Sequence, residues 1–407
     1  RGFEFVSPAV FCEDSASGIR VRALNTHFPV ARRCILLLAP LALAGCTFLE
    51  DLYSGLPDEA RPEPVPLEAR PVGEPISRNY FVLETEAQSV VGTPQIVYTD
   101  AENTLSDLAR EYGLGYDEIV VANPDVDPWL PGDRTPVLLP TQYIIPDVPR
   151  EGIVLNIATK RLFYFPEVAE GEAQTVLTYP IGIGRVGWET PIGTTEVVSK
   201  AADPHWFPPA SVRSEHAEMG NPLPSVVPPG PDNPLGSHVL KLAMPGYLIH
   251  GTNQPYGVGM RVSHGCVRLY PENIELLYSL VPKGETVRII NEPYLLGWRN
   301  GELYFEAHAP LEDDAIPAGE RLDTLLANAA DGEGLSDRDA DHIRSLASTA
   351  NGVPSLVSYH DAHEIFARAS VVRNTVEPDP NAPTLTEVRD LIDEAVAEQP
   401  EPEEKDL

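Results

Sequence analysis

Tyr247-Leu248-Ile249-His250-Gly251-Thr252-Asn253 and, nine residues later, Ser263-His264-Gly265-Cys266-Val267-Arg268 decide how this chain is read. Leu248-Ile249 is the apolar end of a buried strand that delivers His250 to a rim. Gly251, Gly257 and Gly259 allow the following segment to turn sharply and bring Cys266 back beside His250. Cys266 sits among small, turn-prone residues. A thiol on a tight turn with backbone N–H groups beside it suits acyl transfer.

A free thiol is only a few per cent ionised at neutral pH, so a nearby imidazole is needed to take its proton, which predicts a thiolate–imidazolium pair. The N–H groups around Gly265 and Cys266, on the loop Ser263-His264-Gly265, are the expected oxyanion donors. The carbonyl of Gly251 is the expected group to orient His250, unlike a carboxylate-oriented triad. Two other readings stand beside this one. Cys266 can be an inert packing residue, or His238, His250, His264 and Cys266 can bind zinc. No C-x-x-C or H-x-x-x-H spacing supports the metal, and His264 reads as shaping the loop.

His-Gly-Thr-Asn followed by Ser-His-Gly-Cys-Val-Arg resembles the signature of the L,D-transpeptidases, the YkuD-domain enzymes of bacterial cell walls. The resemblance spans roughly Glu151 to Glu292 and includes Tyr179-Pro-Ile-Gly-Ile-Gly, Thr190-Pro-Ile-Gly-Thr and Val227-Pro-Pro-Gly-Pro-Asp-Asn-Pro-Leu-Gly. It implies Cys266 as nucleophile, His250 as base and Gly251 as the orienting carbonyl. Arg268 stands where the family carries Arg or Asn near the pocket, and Thr252, Asn253 and Trp206 are the further candidates for substrate contact. The implied reaction breaks the diaminopimelate–D-Ala bond of a peptidoglycan tetrapeptide stem through a thioester. Transfer to an amine then gives a 3–3 crosslink or attaches a wall-anchored lipoprotein or outer-membrane protein. A hydrolase of the same linkage and a non-catalytic wall-binding tether are the alternatives. No metal or cofactor is called for.

The rest of the 407 residues frames that core. The net charge of −32 argues against nucleic acid as a partner. Much of it is local, with 24 acidic against 7 basic residues from Glu306 onward. Residues 1–29 show no periodicity, and Val30 is a candidate start. Arg32-Arg33 and the short apolar run Cys34 to Ala42 read as a signal peptide. It closes on Leu43-Ala44-Gly45-Cys46, which resembles the bacterial lipobox, so residues 1–45 are expected to be lost and Cys46 to be lipidated. That implies a membrane-anchored periplasmic protein, with outer-membrane sorting suggested by Thr47. Cys266 is then the one thiol left, easier to understand in an oxidising compartment as reactive than as half of a disulfide.

Residues 46–95 read as a Pro-rich tether. Residues 96–145 read strand–helix–helix–strand: Ile96-Val97-Tyr98, a run capped by Thr104 and stopped at Gly113, a second helix ended by Pro124, and Thr135 to Pro140. With Asn103-Thr104-Leu105, Asn123-Pro124 and the Pro131-Gly132 turn, this resembles a LysM glycan-binding module, although Asp100-Ala101-Glu102 departs from the usual Gly-Asp turn. Residues 150–292 carry many short strands jointed by Pro and Gly, with one helix from Pro271. The expected fold is a mainly β catalytic body, sandwich or barrel-like, with a small α+β domain before it. An appended hairpin around Asn300-Gly301 follows at 293–310. Residues 311–407 read as an acidic extension, partly helical or disordered, with helical periods at 321–330, 339–348 and 385–397.

Overall fold

The computed structural model describes residues 65–377, apart from 77, 78, 170, 334 and 360–363. The signal peptide, Cys46, the tether as far as residue 64 and the helical period at 385–397 lie outside the described residues. No helix among those described is long and apolar enough to cross a membrane.

The catalytic region is one nine-stranded sheet, built from β1 (Tyr80–Val82), β2 (Gly152–Asn156), β3 (Arg161–Phe165), β4 (Thr175–Pro180), β5 (Gly193–Ala202), β6 (His238–Leu242), β7 (Leu248–His250), β8 (Val267–Arg268) and β9 (Thr286–Ile290). Their order across the sheet is β1-β4-β3-β2-β9-β5-β6-β7-β8. Pairing is antiparallel except for β2 with β9 and β7 with β8. Of the sandwich and barrel-like readings, the strands favour the second, since they form one mixed sheet rather than two layers.

The two halves of this sheet bury their faces differently. In β2 and β3 every residue is buried. Ile153, Leu155, Leu162 and Tyr164 point into one core with Ile274 and Leu277 of the helix Pro271–Leu280. Val154, Phe163 and Phe165 point to the opposite face and pack with Val97, Leu105, Leu108 and Tyr112. Two buried faces explain why both strands read as unbroken apolar runs. In β6 to β8 only alternate residues enter the core, and the other face is left open. At β5 the register with β6 shifts between Val197 and Ser199, so Val197 stays in the core while Ser199 turns to the open face.

The partners of Val154 and Phe163 come from the small domain. Gln95–Tyr98 pairs antiparallel with Pro136–Leu139, and the helices Leu105–Glu111 and Tyr116–Ala122 lie between them in sequence. Thr104 and Asp107 form a capping box at the first helix. This domain is bolted to the sheet. Glu118 takes a bidentate bond from Arg161 at 2.8 and 2.7 Å, and Arg161, only 2% exposed, lies 3.9 Å above the ring of Tyr143.

Two features depart from the sequence reading. Within the stretch read as tether, Tyr80–Val82 pairs with β4 and Val90–Gly92 with Gln142–Ile144. These strands are three residues each, too short for an alternating pattern to stand out. The chain after Pro310 also returns to the body. Helices Ala318–Glu333 and Asp337–Thr349 pack on the hairpin Tyr294–Arg299 with Glu302–Ala307, and Ser370–Val372 adds parallel to Gln95–Tyr98. The hairpin turn puts Asn300 and Gly301 at positive φ, as an Asn-Gly pair allows.

Glu118→Ala strands the buried guanidinium of Arg161 and is expected to cost about 3–5 kcal/mol in denaturant unfolding. A loss below about 1 kcal/mol would show that the pair does not hold the two domains together.

Candidate active site

The site follows from strand register. Val239 pairs with His250 and Lys241 with Leu248 between β6 and β7, and His250 pairs with Arg268 between β7 and β8. Leu240, Ile249 and Val267, which alternate with them, are buried in the core. Side chains alternate along a strand, so Val239, Lys241, Leu248, His250 and Arg268 share the open face. Cys266 precedes β8 by one residue and falls in the row of Leu248 and Lys241. All six line one cavity of about 550 Å³.

The segment from Pro204 to Gly236 roofs this cavity with Trp206, Phe207, Pro209, Val212 and Pro234. Trp206 and Val227 exchange backbone hydrogen bonds of 2.9 and 2.8 Å across the roof. The fully buried Asn233 donates to the carbonyls of Pro204 and Pro228, which fixes the roof's ends without a regular strand. A second cavity of about 640 Å³ adjoins the first and shares Trp206, Val212, Pro234, His264 and Arg268 with it. Thr252 and Asn253 line the second cavity and not the one holding Cys266. The Thr252 hydroxyl accepts from the N–H of Gln254.

The loop carrying Cys266 is braced on every side. Ser263 Oγ donates to the Cys266 carbonyl at 2.6 Å and accepts from the N–H of Gly265 at 3.2 Å. Buried Thr190 donates to the Gly265 carbonyl at 2.9 Å. Gly265 has φ +100°, and a Cβ there would meet the ring of Tyr247 at 3.0 Å, so glycine is required. One expectation changes here. The Gly265 N–H is engaged by Ser263, whereas the Cys266 N–H donates no hydrogen bond among the described residues and remains available for an oxyanion.

His250 is 4% exposed, and its Nδ1 lies 2.6 Å from the carbonyl oxygen of Gly251. A carbonyl can only accept, so Nδ1 carries the proton and Nε2 keeps its lone pair. Burial, followed by the charge of Arg268, pushes the imidazole down to about 3 against the pull of the Gly251 and Leu235 carbonyls. Burial pushes the Cys266 thiol up, opposed by the Leu248 N–H and by Arg268. Burial therefore works against charge on both groups, because both lose hydration together.

Glu215 and Arg185, which the sequence did not mark, complete the site together with Trp188, which reads as structural packing for this region. Glu215, on the roof helix Ala210–Glu218, pairs with Arg185 and accepts from His264 Nε2 at 2.8 Å. Trp188 meets the His264 ring edge-on at 4.9 Å between centroids. Arg185 and then His264 hold the Glu215 carboxyl below its usual range. His264 therefore latches the roof to the loop that carries Cys266, two residues away. The roof helix buries only Val212 and has no side-chain cap, so nothing in its sequence announces it. His238 is turned away, its ring against Tyr278 at 4.6 Å.

A family model describing the L,D-transpeptidase catalytic domain, YkuD, matches residues 150–289. The chain is 44% identical over 235 residues to the probable L,D-transpeptidase YbiS of Escherichia coli strain K12, covering 57% of this chain and 75% of that protein. It is 37% identical over 293 residues to the probable L,D-transpeptidase YcfS of the same strain, covering 70% and 90%. It is 40% identical over 290 residues to the probable L,D-transpeptidase ErfK/SrfK of Salmonella typhimurium strain LT2, covering 68% and 91%.

Alkylation of Cys266 by iodoacetamide, followed on its own peptide by mass, is expected to keep accelerating as pH rises past 9. A plateau below pH 8 would mean that the thiolate is already formed at rest. Glu215→Ala is expected to speed amide hydrogen exchange across Ala210–Glu218 while leaving β2 and β3 protected. Unchanged exchange in that helix would rule out the latch.

Proposed function

Because this chain belongs to the L,D-transpeptidase family, we propose that Cys266 is its acyl-accepting nucleophile and His250 its base, acting on peptidoglycan stem peptides. The observation carrying this is the shared sheet face of His250 and Cys266, with Nδ1 of His250 held by the Gly251 carbonyl. Nε2 takes the thiol proton as sulfur attacks the carbonyl between diaminopimelate and D-Ala. The oxyanion is held by the Cys266 N–H. Collapse breaks the C–N bond, His250 returns the proton to the departing D-Ala amine, and a thioester remains. An acceptor amine then attacks the thioester, gives its proton to His250, and the C–S bond breaks to restore the thiol.

Burial that works against charge on both groups suits this sequence. The proton moves only when substrate occupies the cavity, so the thiol stays protected between turnovers. Arg268 and Trp206 line the cavity beside the reacting atoms, while Thr252 and Asn253 support the neighbouring one.

The wider setting is proposed on sequence grounds. The Leu43-Ala44-Gly45-Cys46 lipobox supports a lipid anchor at Cys46 and a periplasmic, outer-membrane location. The strand–helix–helix–strand order of the small domain supports a LysM-like glycan contact. Its docking through Glu118 and Arg161 favours a fixed platform over a swinging arm.

Tetrapeptide muropeptides incubated with the purified protein are expected to yield crosslinked dimers by mass, and Cys266→Ala is expected to lower the rate at least about 10³-fold. Free tripeptide would mark a hydrolase and unchanged substrate a tether. Full turnover by Cys266→Ala would remove the thiol from the mechanism.

A further inference from the structure

The chain as a whole carries 61 acidic against 29 basic residues, yet none of the residues lining the Cys266 cavity is Asp or Glu. Three cations line it: Lys200, Lys241 and Arg268. Lys200 is already committed, its ammonium donating to the carbonyls of Tyr278 and Val281 at the end of the helix Pro271–Leu280. Lys241 is exposed on β6, and its ammonium makes no hydrogen bond or ion pair among the described residues. The Arg268 guanidinium likewise makes no hydrogen bond or ion pair there, and its Nε is buried and unsatisfied.

Register fixes where Lys241 stands. It pairs with Leu248, and Cys266 lies in the same row one strand further on. Two strand spacings put the Lys241 and Cys266 backbones about 10 Å apart on the same face. A four-carbon stem ending in a mobile ammonium covers much of that gap. A free cation facing a reactive thiol across a cavity without carboxylates, in a chain of net charge −32, calls for an anion on the ligand.

Resting on the function proposed above, we infer that Lys241 is a specificity residue that binds a carboxylate of the acyl-donor peptide and so sets its direction across Cys266. The two carboxylates of the donor nearest the scissile bond have this chemistry. One is the terminal carboxylate of D-Ala, three bonds from the scissile carbonyl carbon, and the other is the free carboxylate on the diaminopimelate side chain. Bound by Lys241, either one orients the scissile bond along the row Lys241–Leu248–Cys266.

The test uses the full chain carrying Cys266→Ala, so that binding is measured without turnover. Calorimetry compares the tetrapeptide, its terminal amide and its side-chain amide, with Lys241 and with Lys241→Gln. Lys241→Gln is expected to weaken tetrapeptide binding about tenfold, the size of one charge-assisted hydrogen bond at a solvated rim. Amidating the contacted carboxylate should weaken the Lys241 protein equally and leave Lys241→Gln indifferent, which identifies the source. Lys241→Arg should restore most of the affinity. An equal effect of Lys241→Gln on all three peptides, no effect on any, or no binding at all would overturn the inference. The product assay with Cys266 intact judges the proposed function separately: crosslinking with unchanged binding sinks only the role of Lys241, and a binding shift without thioester formation sinks only the chemistry.

Discussion

Two pairs of residues, Ile249 with Val267 and His250 with Arg268, hold the whole site together. They join β7 and β8 in parallel, the less common arrangement, across only two residue rows. Because side chains alternate, a slip of one residue would send Cys266 and Arg268 into the core and bring Val267 to the cavity. The register is guarded from both sides. Ile249 and Val267 are buried against Leu240, and the backbone of Arg268 exchanges hydrogen bonds of 2.9 Å with Gly182 beyond the sheet's edge. Apolar packing on the hidden face thus fixes chemistry on the open one.

The same burial that secures this register sets the electrostatics. His250 is enclosed deeply enough that its charged form is strongly disfavoured, and Arg268 adds to that penalty. Arg268 acts oppositely on the thiol, easing ionisation that burial resists. One cation therefore discourages the imidazolium while encouraging the thiolate. Burial opposes both charges, and an electrophile with its own developing negative charge alters the balance when it arrives.

The chemistry was legible where it is local. His250, Gly251, Ser263 and Cys266 stand within twenty residues, and the Gly251 carbonyl is expected because glycine offers no side chain to orient the ring. The hairpin at Asn300-Gly301 and the capped helix at Thr104 were legible for the same reason. What escaped depends on distance along the chain. Glu215 meets His264 across 49 residues from a helix with no apolar stripe, and Ser370–Val372 joins Gln95–Tyr98 across more than 270. The desolvation of His250 and Cys266 was not legible either, because burial belongs to the folded body and not to a motif.

That long-range wiring bears on how the small domain takes part. The N–H of Tyr116, opening its second helix, donates to the Val258 carbonyl at 3.0 Å, and a Cβ on Gly259 would lie 2.4 Å from the Cα of Gly115. Gly259 has φ +88°, so two glycines are needed for the backbones to approach. The loop touched here is the one linking His250 to Cys266. The small domain is therefore more than a neighbour anchored by Glu118 and Arg161. It braces the outer side of the segment whose path returns the thiol to the imidazole, and Tyr270, donating to the Leu114 carbonyl at 3.0 Å, braces the segment just after it. A module that contributes glycan affinity alone would tolerate a flexible joint. A module that forms part of the scaffold of the active-site loop cannot, which accounts for a buried ion pair at a boundary where a linker would otherwise serve.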